Sequence, residues 1–132
     1  MGYLHAGETN QIICSFYNVY NNLGYGFLER VYENALCIEL SFHDVHVIQQ
    51  KQVKVEYKGY VVGDYKCDLV FDNKVIIEIK SVKNLLPEHD AQLLNYLKAT
   101  GLKVGLLLNF GPKPQIKRRA LKRGCRLIRP VH

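Results

Sequence analysis

The chain has 132 residues, 48% hydrophobic and 23% charged, a balance that predicts one folded domain over residues 1–132 and excludes a disordered chain. No apolar run reaches the roughly 20 residues that span a bilayer, so we expect a cytoplasmic protein with no membrane segment. Eight of the 18 Lys and Arg residues lie in the basic C-terminal segment 113–132, which has no acid; it favours a nucleic-acid partner or is a solvated basic terminus.

Two helices are predicted at the start of the chain. Residues 9–22 carry apolar side chains at helical spacing, with Thr9 or Asn10 as N-cap and Gly24 suited to the left-handed position after the last turn. A second helix is predicted over about residues 26–42. Its expected apolar stripe consists of Phe27, Val31, Ala35, Ile38 and Phe42, and is flanked by Leu28, Tyr32 and Leu36.

Three strands follow. From Val45 the apolar period changes to two, which predicts a strand that ends at the Lys58-Gly59 turn. A partner strand is expected over about 60–71, and Asp72-Asn73 turns the chain into a short third strand over 74–81. These strands predict an antiparallel meander.

A helix and further strands complete the predicted α/β fold. Residues 87–100 predict a helix that Gly101 ends, and the apolar strand 104–109 suggests a crossover connection and a parallel pair. The Gly-Pro-Lys-Pro segment 111–114 predicts a loop. Beyond it we expect a basic helix over 116–122 and a last edge strand over 126–129.

The four cysteines predict neither disulfides nor a zinc site. Their spacing contains no CxxC pair, and the histidines form no zinc pattern. We expect free thiols that are largely buried: Cys14, Cys37, Cys67 and Cys125.

The residues that indicate chemistry are Asp68, at the end of one predicted strand, and Glu78 and Lys80, at the end of the next. If the two strands pair about the intervening turn, the carboxylates come close together, while Glu78 and Lys80 share one face of their strand. Ile79 then faces the core and leaves its carbonyl near the same edge. Two carboxylates and a carbonyl form an all-oxygen ligand set, which suits Mg²⁺ or Mn²⁺. Such an ion with a nearby lysine could support phosphodiester hydrolysis.

Each of these residues also has a simpler explanation. Glu78 and Lys80 could form an exposed ion pair, and Asp68 could be a polar strand end. Against this, an acid and a lysine close an otherwise apolar strand, where a buried charge is costly unless a partner or a metal offsets it.

The pattern resembles the PD-(D/E)XK nuclease superfamily, with an acid on one strand and (D/E)-x-K on the next; Cys67 stands where a proline usually precedes the first acid. Residues 26–32, Gly-Phe-Leu-Glu-Arg-Val-Tyr, match the motif of the GxxExxY family, and the resemblance covers most of residues 10–110. It implies a restriction-endonuclease-like fold, with a mixed central sheet flanked by helices. By the same resemblance Glu29 is a candidate metal ligand, and Gln92 and Tyr96 are expected to face the site.

We therefore expect a Mg²⁺- or Mn²⁺-dependent nuclease that acts on DNA. The alternative is a nucleic-acid-binding module that keeps the fold without turnover, and a homodimer that spans a duplex is one option for its assembly. The backbone of the nucleic acid would be held by basic residues of the C-terminal segment, namely Lys117, Arg118, Arg119, Lys122 and Arg123.

Overall fold

The computed structural model describes residues 4–121, which form three helices and five strands. The elements in chain order are α1 (Ala6–Leu23), α2 (Glu29–Ser41), β1 (Val47–Tyr57), β2 (Tyr60–Phe71), β3 (Val75–Lys80), α3 (Pro87–Thr100), β4 (Val104–Phe110) and β5 (Pro114–Ala120). Within the described residues, none of the helices is long and apolar enough to cross a membrane.

The strands form one mixed sheet in the order β1-β2-β3-β4-β5. The first three strands are antiparallel neighbours, β3 and β4 are parallel, and β5 returns antiparallel to β4. Lys58 and Gly59 both have positive φ, 50° and 84°, as the tight turn between β1 and β2 requires. The predicted meander, the crossover through α3 and the α/β fold class are confirmed.

The core lies on both faces of the sheet. Helices α1 and α2 cover one face, where Phe16 and Leu36 pack with Ile77. Helix α3 covers the other, where Leu93 packs with Ile76. Strands β3 and β4 are therefore buried on both sides, which is why both read as nearly continuous apolar runs.

The apolar stripe predicted to bury α2 is wrong. Four of its five members are exposed, by 48% at Phe27, 39% at Val31, 61% at Ile38 and 78% at Phe42. The face that α2 turns toward the sheet and α1 consists instead of Tyr32, Glu33, Leu36 and Leu40, of which Tyr32 and Leu36 were expected to flank the stripe. Both stripes follow the helical period, so only the position of the helix against the sheet selects between them.

The basic helix predicted over residues 116–122 is also wrong. Pro114–Ala120 is strand β5, and Pro114 is already paired in it rather than in the predicted loop. The fully buried strand β4 has an edge that would otherwise lack a partner, and long basic side chains are typical of an edge strand. The edge strand predicted over 126–129 lies outside the described residues.

The described cysteines are free, as expected, but only one of them is buried. Cys67 is buried, Cys37 is half-buried and Cys14 is exposed, so the expectation of largely buried thiols was wrong. Cys125 lies outside the described residues.

Candidate active site

Asp68 and Glu78 lie next to each other where β2 and β3 separate. The two strands pair from Phe71 opposite Val75 to Leu69 opposite Ile77, and the acids occupy the next positions. The backbone N–H of Asp68 donates a hydrogen bond to Oε2 of Glu78 at 3.0 Å. The backbone N–H of Ile79 donates to Oδ2 of Asp68 at 2.8 Å. The structure therefore brings together the two acids that the sequence singled out.

Glu78 is held away from water, and Asp68 is half-buried. Glu78 is 3% exposed, and burial, followed by the charge of Asp68, raises the pKa of its carboxyl group to about 8. Burial raises the pKa of Asp68 to about 6, although the hydrogen bond from Ile79 opposes the shift. Ionising both groups would therefore concentrate negative charge that these hydrogen bonds do not fully compensate.

This arrangement fits a small divalent cation. One oxygen of each carboxylate accepts a backbone hydrogen bond, and among residues 4–121 the second oxygen of each accepts none. Two carboxylates near the Ile79 backbone are the hard oxygen donors that Mg²⁺ and Mn²⁺ prefer. The Ile79 side chain is buried in the core on the α1 and α2 face, as predicted.

Glu29 is more exposed than Asp68 and Glu78. It is exposed in the first turn of α2, and its charge contributes to the raised pKa of Asp68. In residues 4–121 no three His, Cys, Asp or Glu side chains are grouped closely enough to hold a metal ion. A role for Glu29 as a further ligand stays a prediction.

Lys80 is fixed by a chain of side-chain hydrogen bonds to α3. Its Nζ donates to Oε1 of Gln92 at 3.0 Å, and Nε2 of Gln92 donates to the hydroxyl of Tyr96 at 3.1 Å. Burial and the charge of Glu78 raise the pKa of Tyr96 to about 12, so this hydroxyl stays neutral. The structure therefore places Gln92 and Tyr96 beside the lysine, on the side that faces the site.

Glu33 is a site residue that the sequence analysis missed. It is 4% exposed, and its carboxylate accepts hydrogen bonds from Nε2 of Gln49 at 2.7 Å and from Nε2 of Gln50 at 2.9 Å. Its charge also raises the pKa of Asp68 and of Glu78. A signal was available, because Glu33 lies one helical turn after Glu29 on α2.

A distortion in β1 stands opposite Asp68. Gln49 pairs with Leu69 and Lys51 with Cys67, so Gln50 is the residue across from Asp68. Its φ of 55° lies in the left-handed region, which is uncommon for a residue other than glycine. Such strained residues often occur at functional sites. No pattern in the sequence marked this position.

Comparison with known proteins identifies the family. A family model for the PD-(D/E)XK nuclease superfamily matches residues 6–119. The chain belongs to this superfamily. A search of curated proteins found no significant match.

A solved structure shares the fold. The crystal structure of SSO0001 aligns with a TM-score of 0.58 and 18% sequence identity, over 72% of this chain and 52% of that one. The chain thus spans about half the length of that protein. At this level of identity the likeness shows the fold alone.

The PD-(D/E)XK motif departs from its usual form at Cys67. This residue is fully buried beside the site, and burial together with the charge of Glu78 raises the pKa of its thiol to about 12. The thiol is therefore protonated at neutral pH and unreactive. Like the usual proline, Cys67 supplies an uncharged side chain before the first acid.

Three of the five basic residues predicted to bind nucleic acid are described, and they lie on β5. Lys117 is exposed. Arg118 donates from Nη2 to the carbonyl of Leu4 at 2.8 Å, and Nε of Arg119 lies 2.7 Å from Oδ1 of Asp90. Two of the guanidinium groups thus have partners within the protein. The remaining predicted contacts, Lys122 and Arg123, lie outside the described residues.

Proposed function

We propose that this protein is a nuclease that uses Mg²⁺ or Mn²⁺ to hydrolyse phosphodiester bonds, with DNA as its substrate. Membership of the PD-(D/E)XK nuclease superfamily supports nuclease chemistry in general. The observation that carries the proposal for this chain is the adjacent pair Asp68 and Glu78, whose raised pKa values show that their ionised forms lack full compensation even with the charge of Lys80 acting on both. A divalent ion would compensate that excess charge.

The carboxylates of Asp68 and Glu78, with the carbonyl of Ile79, are proposed to hold the ion, and Glu29 is proposed as a further ligand. When bound, such an ion would supply two things. One is a water that loses its proton near neutral pH, and the other is positive charge that stabilises the phosphate. Glu33 is proposed to support the site by holding Gln49 and Gln50 against it.

Lys80 is proposed to bind a phosphate oxygen or to orient the attacking water. Its Nζ makes one hydrogen bond, to Gln92, and so retains donors for a second partner. Gln92 and Tyr96 then act as positioning residues, because they determine where the ammonium group lies. An amine held in one place loses less conformational freedom when substrate binds.

The GxxExxY resemblance is part of the proposal, and the geometry of the motif residues supports it. Gly26 has a φ of 117°, a backbone conformation that residues other than glycine rarely adopt. The hydroxyl of Tyr32 accepts a hydrogen bond from the backbone N–H of Phe27 and donates one to the carbonyl of Gly24. These contacts hold the loop that leads into α2 and so position Glu29.

The backbone of DNA is proposed to contact the basic residues of the C-terminal segment. Lys117 is exposed on β5, and positive charge there attracts a polyanion. Lys122 and Arg123, which follow β5 in the sequence, are proposed to contact the DNA backbone as well.

The proposed function is tested by incubating the purified chain with supercoiled plasmid and Mg²⁺ or Mn²⁺. We expect nicking or degradation that EDTA stops and that Lys80→Ala abolishes. Lys98→Ala is the matched control, because Lys98 is exposed in the last turn of α3 and has no contact with the site. Cleavage that survives both EDTA and Lys80→Ala would contradict the proposal. Salt-dependent binding without cleavage under any divalent metal would favour the non-catalytic binding module.

A further inference from the structure

A groove of about 410 Å³ lies at the end of the sheet where β3 and β4 finish. We call it the end groove. Its walls come from the α1–α2 loop (Tyr25–Leu28), the segment after β3 (Ser81–Lys83) and the β4–β5 loop (Gly111 and Pro112). Its volume lies within the roughly 300–1,000 Å³ of small-ligand sites. None of the described residues that line it has a role in the proposed hydrolysis.

Two residues of the proposed active site are sequence neighbours of residues in the groove walls. Lys80 directly precedes Ser81 in one wall, and Glu29 directly follows Leu28 in another. Ser81 joins these walls, because its Oγ donates a hydrogen bond to the carbonyl of Phe27 at 3.1 Å. The groove walls are therefore one residue along the backbone from Lys80 and from Glu29.

The walls of the groove are rigid. The buried amide of Asn109 accepts a hydrogen bond from the backbone N–H of Val82 and donates one to its carbonyl, both at 2.9 Å. Gly111 approaches so closely that a Cβ atom there would lie 2.0 Å from the carbonyl oxygen of Val82. Tyr20 fixes the same loop through a hydrogen bond from its hydroxyl to the carbonyl of Gly111. The groove is thus preformed.

The α1–α2 wall presents apolar surface to solvent from a fixed backbone. Tyr25, Phe27 and Leu28 are 62%, 48% and 80% exposed. The Phe27 backbone is nevertheless held by hydrogen bonds to Tyr32 and Ser81. Exposed aromatic rings on a fixed backbone are the arrangement on which single-stranded nucleic acids stack their bases. The exposed Lys83 on the second wall adds a positive charge that complements a phosphate backbone.

We propose that the end groove binds the base of an unpaired nucleotide in the substrate strand, next to the phosphate that is cleaved. The base stacks on the rings of Tyr25 and Phe27, and Lys83 contacts the backbone. The substrate class is then a strand that is single or splayed at the site of cleavage, since the bases of an intact duplex are already stacked on one another. This inference rests on the proposed function, whose active site it extends.

The test uses the absence of tryptophan from the sequence. Phe27→Trp introduces a single indole into the groove, and Phe42→Trp introduces one at the far end of α2, where Phe42 is 78% exposed. Each variant carries Lys80→Ala and is titrated in EDTA, so that no strand is cut. The probes are a short oligodeoxyadenylate, its riboadenylate equivalent and an abasic oligonucleotide with the same number of phosphates.

We expect oligodeoxyadenylate to quench the emission of Phe27→Trp and to bind about tenfold more tightly than the abasic strand, a ratio that reflects lost stacking. Phe42→Trp should show no base-dependent quenching. Tyr25→Ala, combined with Phe27→Trp, should weaken oligodeoxyadenylate binding about tenfold and leave abasic binding unchanged. Quenching by riboadenylate alone would support base stacking in the groove, with RNA instead of DNA as the strand that binds there.

Equal affinity for the adenine and abasic strands would overturn the proposal, because charge alone would then account for binding. Equal quenching at position 42 would overturn it as well. The result is distinct from that of the plasmid assay. Base-dependent quenching without metal-dependent cleavage would support base binding in the groove and refute the proposed hydrolysis. Cleavage without base-dependent quenching would support hydrolysis and refute base binding in the groove.

Discussion

Asp68 donates its backbone N–H to the carboxylate of Glu78 at 3.0 Å, so the second acid is held by the backbone of the first. Asp68 in turn accepts a hydrogen bond from Ile79, the residue after Glu78, at 2.8 Å. This exchange fixes two acidic groups at one strand end, where burial favours the protonated form of both and the charge of Asp68 adds to the effect on Glu78. The consequence is a measurable dependence of stability on pH.

We expect the metal-free protein to lose stability as the pH rises from about 4 to about 8. The folded-state pKa values of Asp68 and Glu78, about 6 and about 8, lie above the ordinary values of 3.8 and 4.5. The folded state therefore binds more protons than the unfolded state across this range. The stabilisation from both groups is fully present below their unfolded values and is lost as the pH rises through the folded ones. Urea unfolding in the presence of a chelator measures this trend.

Glu78→Gln is the matched variant for this experiment. It keeps an oxygen that accepts from Asp68 and removes the charge, so its stability should depend less on pH and exceed that of the wild type near pH ~8. Added Mn²⁺ should stabilise the wild type at high pH and the variant much less. If wild-type stability rose over the same range, the raised pKa values would be wrong.

Gln92→Ala is expected to lower kcat about 10- to 100-fold with little change in KM. The variant removes the acceptor that holds Nζ of Lys80 at 3.0 Å, and a small misplacement of a catalytic group has an effect of this size. Tyr96→Phe should have a smaller effect, because it removes only the hydroxyl that accepts from Gln92. Initial rates on plasmid give both constants. The control is Asn95→Ala, an exposed position on α3, and an equal loss there would assign the effect to the helix as a whole.

Glu33→Ala is expected to destabilise the protein by about 1–3 kcal/mol, because the amide of Gln50 loses its acceptor and that of Gln49 keeps only Asn34. Urea unfolding measures the loss, and Glu56→Ala, an exposed position on β1, should stay within about 0.5 kcal/mol of the wild type. Glu33→Gln removes a negative charge that raises the pKa of Asp68. It should therefore lower that pKa in an NMR titration, and an unchanged value would refute the coupling.

Gly111→Ala is expected to cost about 1–3 kcal/mol of stability, the usual range for overpacking. The added Cβ would lie 2.0 Å from the backbone oxygen of Val82, which cannot move aside as a flexible side chain would. Gly7→Ala is the control, because its Cβ would meet no atom within 4 Å and alanine is favoured in the helix α1. Thermal unfolding of both variants provides the comparison. Equal stability of the two variants would show that the β4–β5 loop and the segment after β3 can move apart at little cost in free energy.

Much of the active site could be predicted from local patterns. The Asp72-Asn73 turn joins two apolar runs, and an antiparallel pair about a short turn places Asp68 beside Glu78 whatever the rest of the chain does. Period-two alternation then puts Lys80 on the same face as Glu78. Gln92 and Tyr96 are one helical turn apart, so their shared face follows from helix geometry.

Other features depended on contacts between elements that are distant in sequence. Helix α2 carries apolar residues on two faces, and the buried one, with Tyr32 and Leu36, was selected by the sheet and α1 rather than by periodicity. The basic residues after Pro114 became a strand because β4 had an edge that needed a partner. Glu33 lies at the site because α2 packs against the sheet where Gln50 of β1 donates a hydrogen bond to its carboxylate.

The sequence by itself determined the order of the elements from α1 to β4, the turns between the first three strands and the pairing of the two acids, because each depends on residues that are near neighbours along the chain. The tertiary structure alone decided which helix face is buried, the strand state of residues 114–120 and the groove beside Lys80. Those outcomes depend on which surfaces remain to be covered once the sheet has formed, and that is a property of the whole fold.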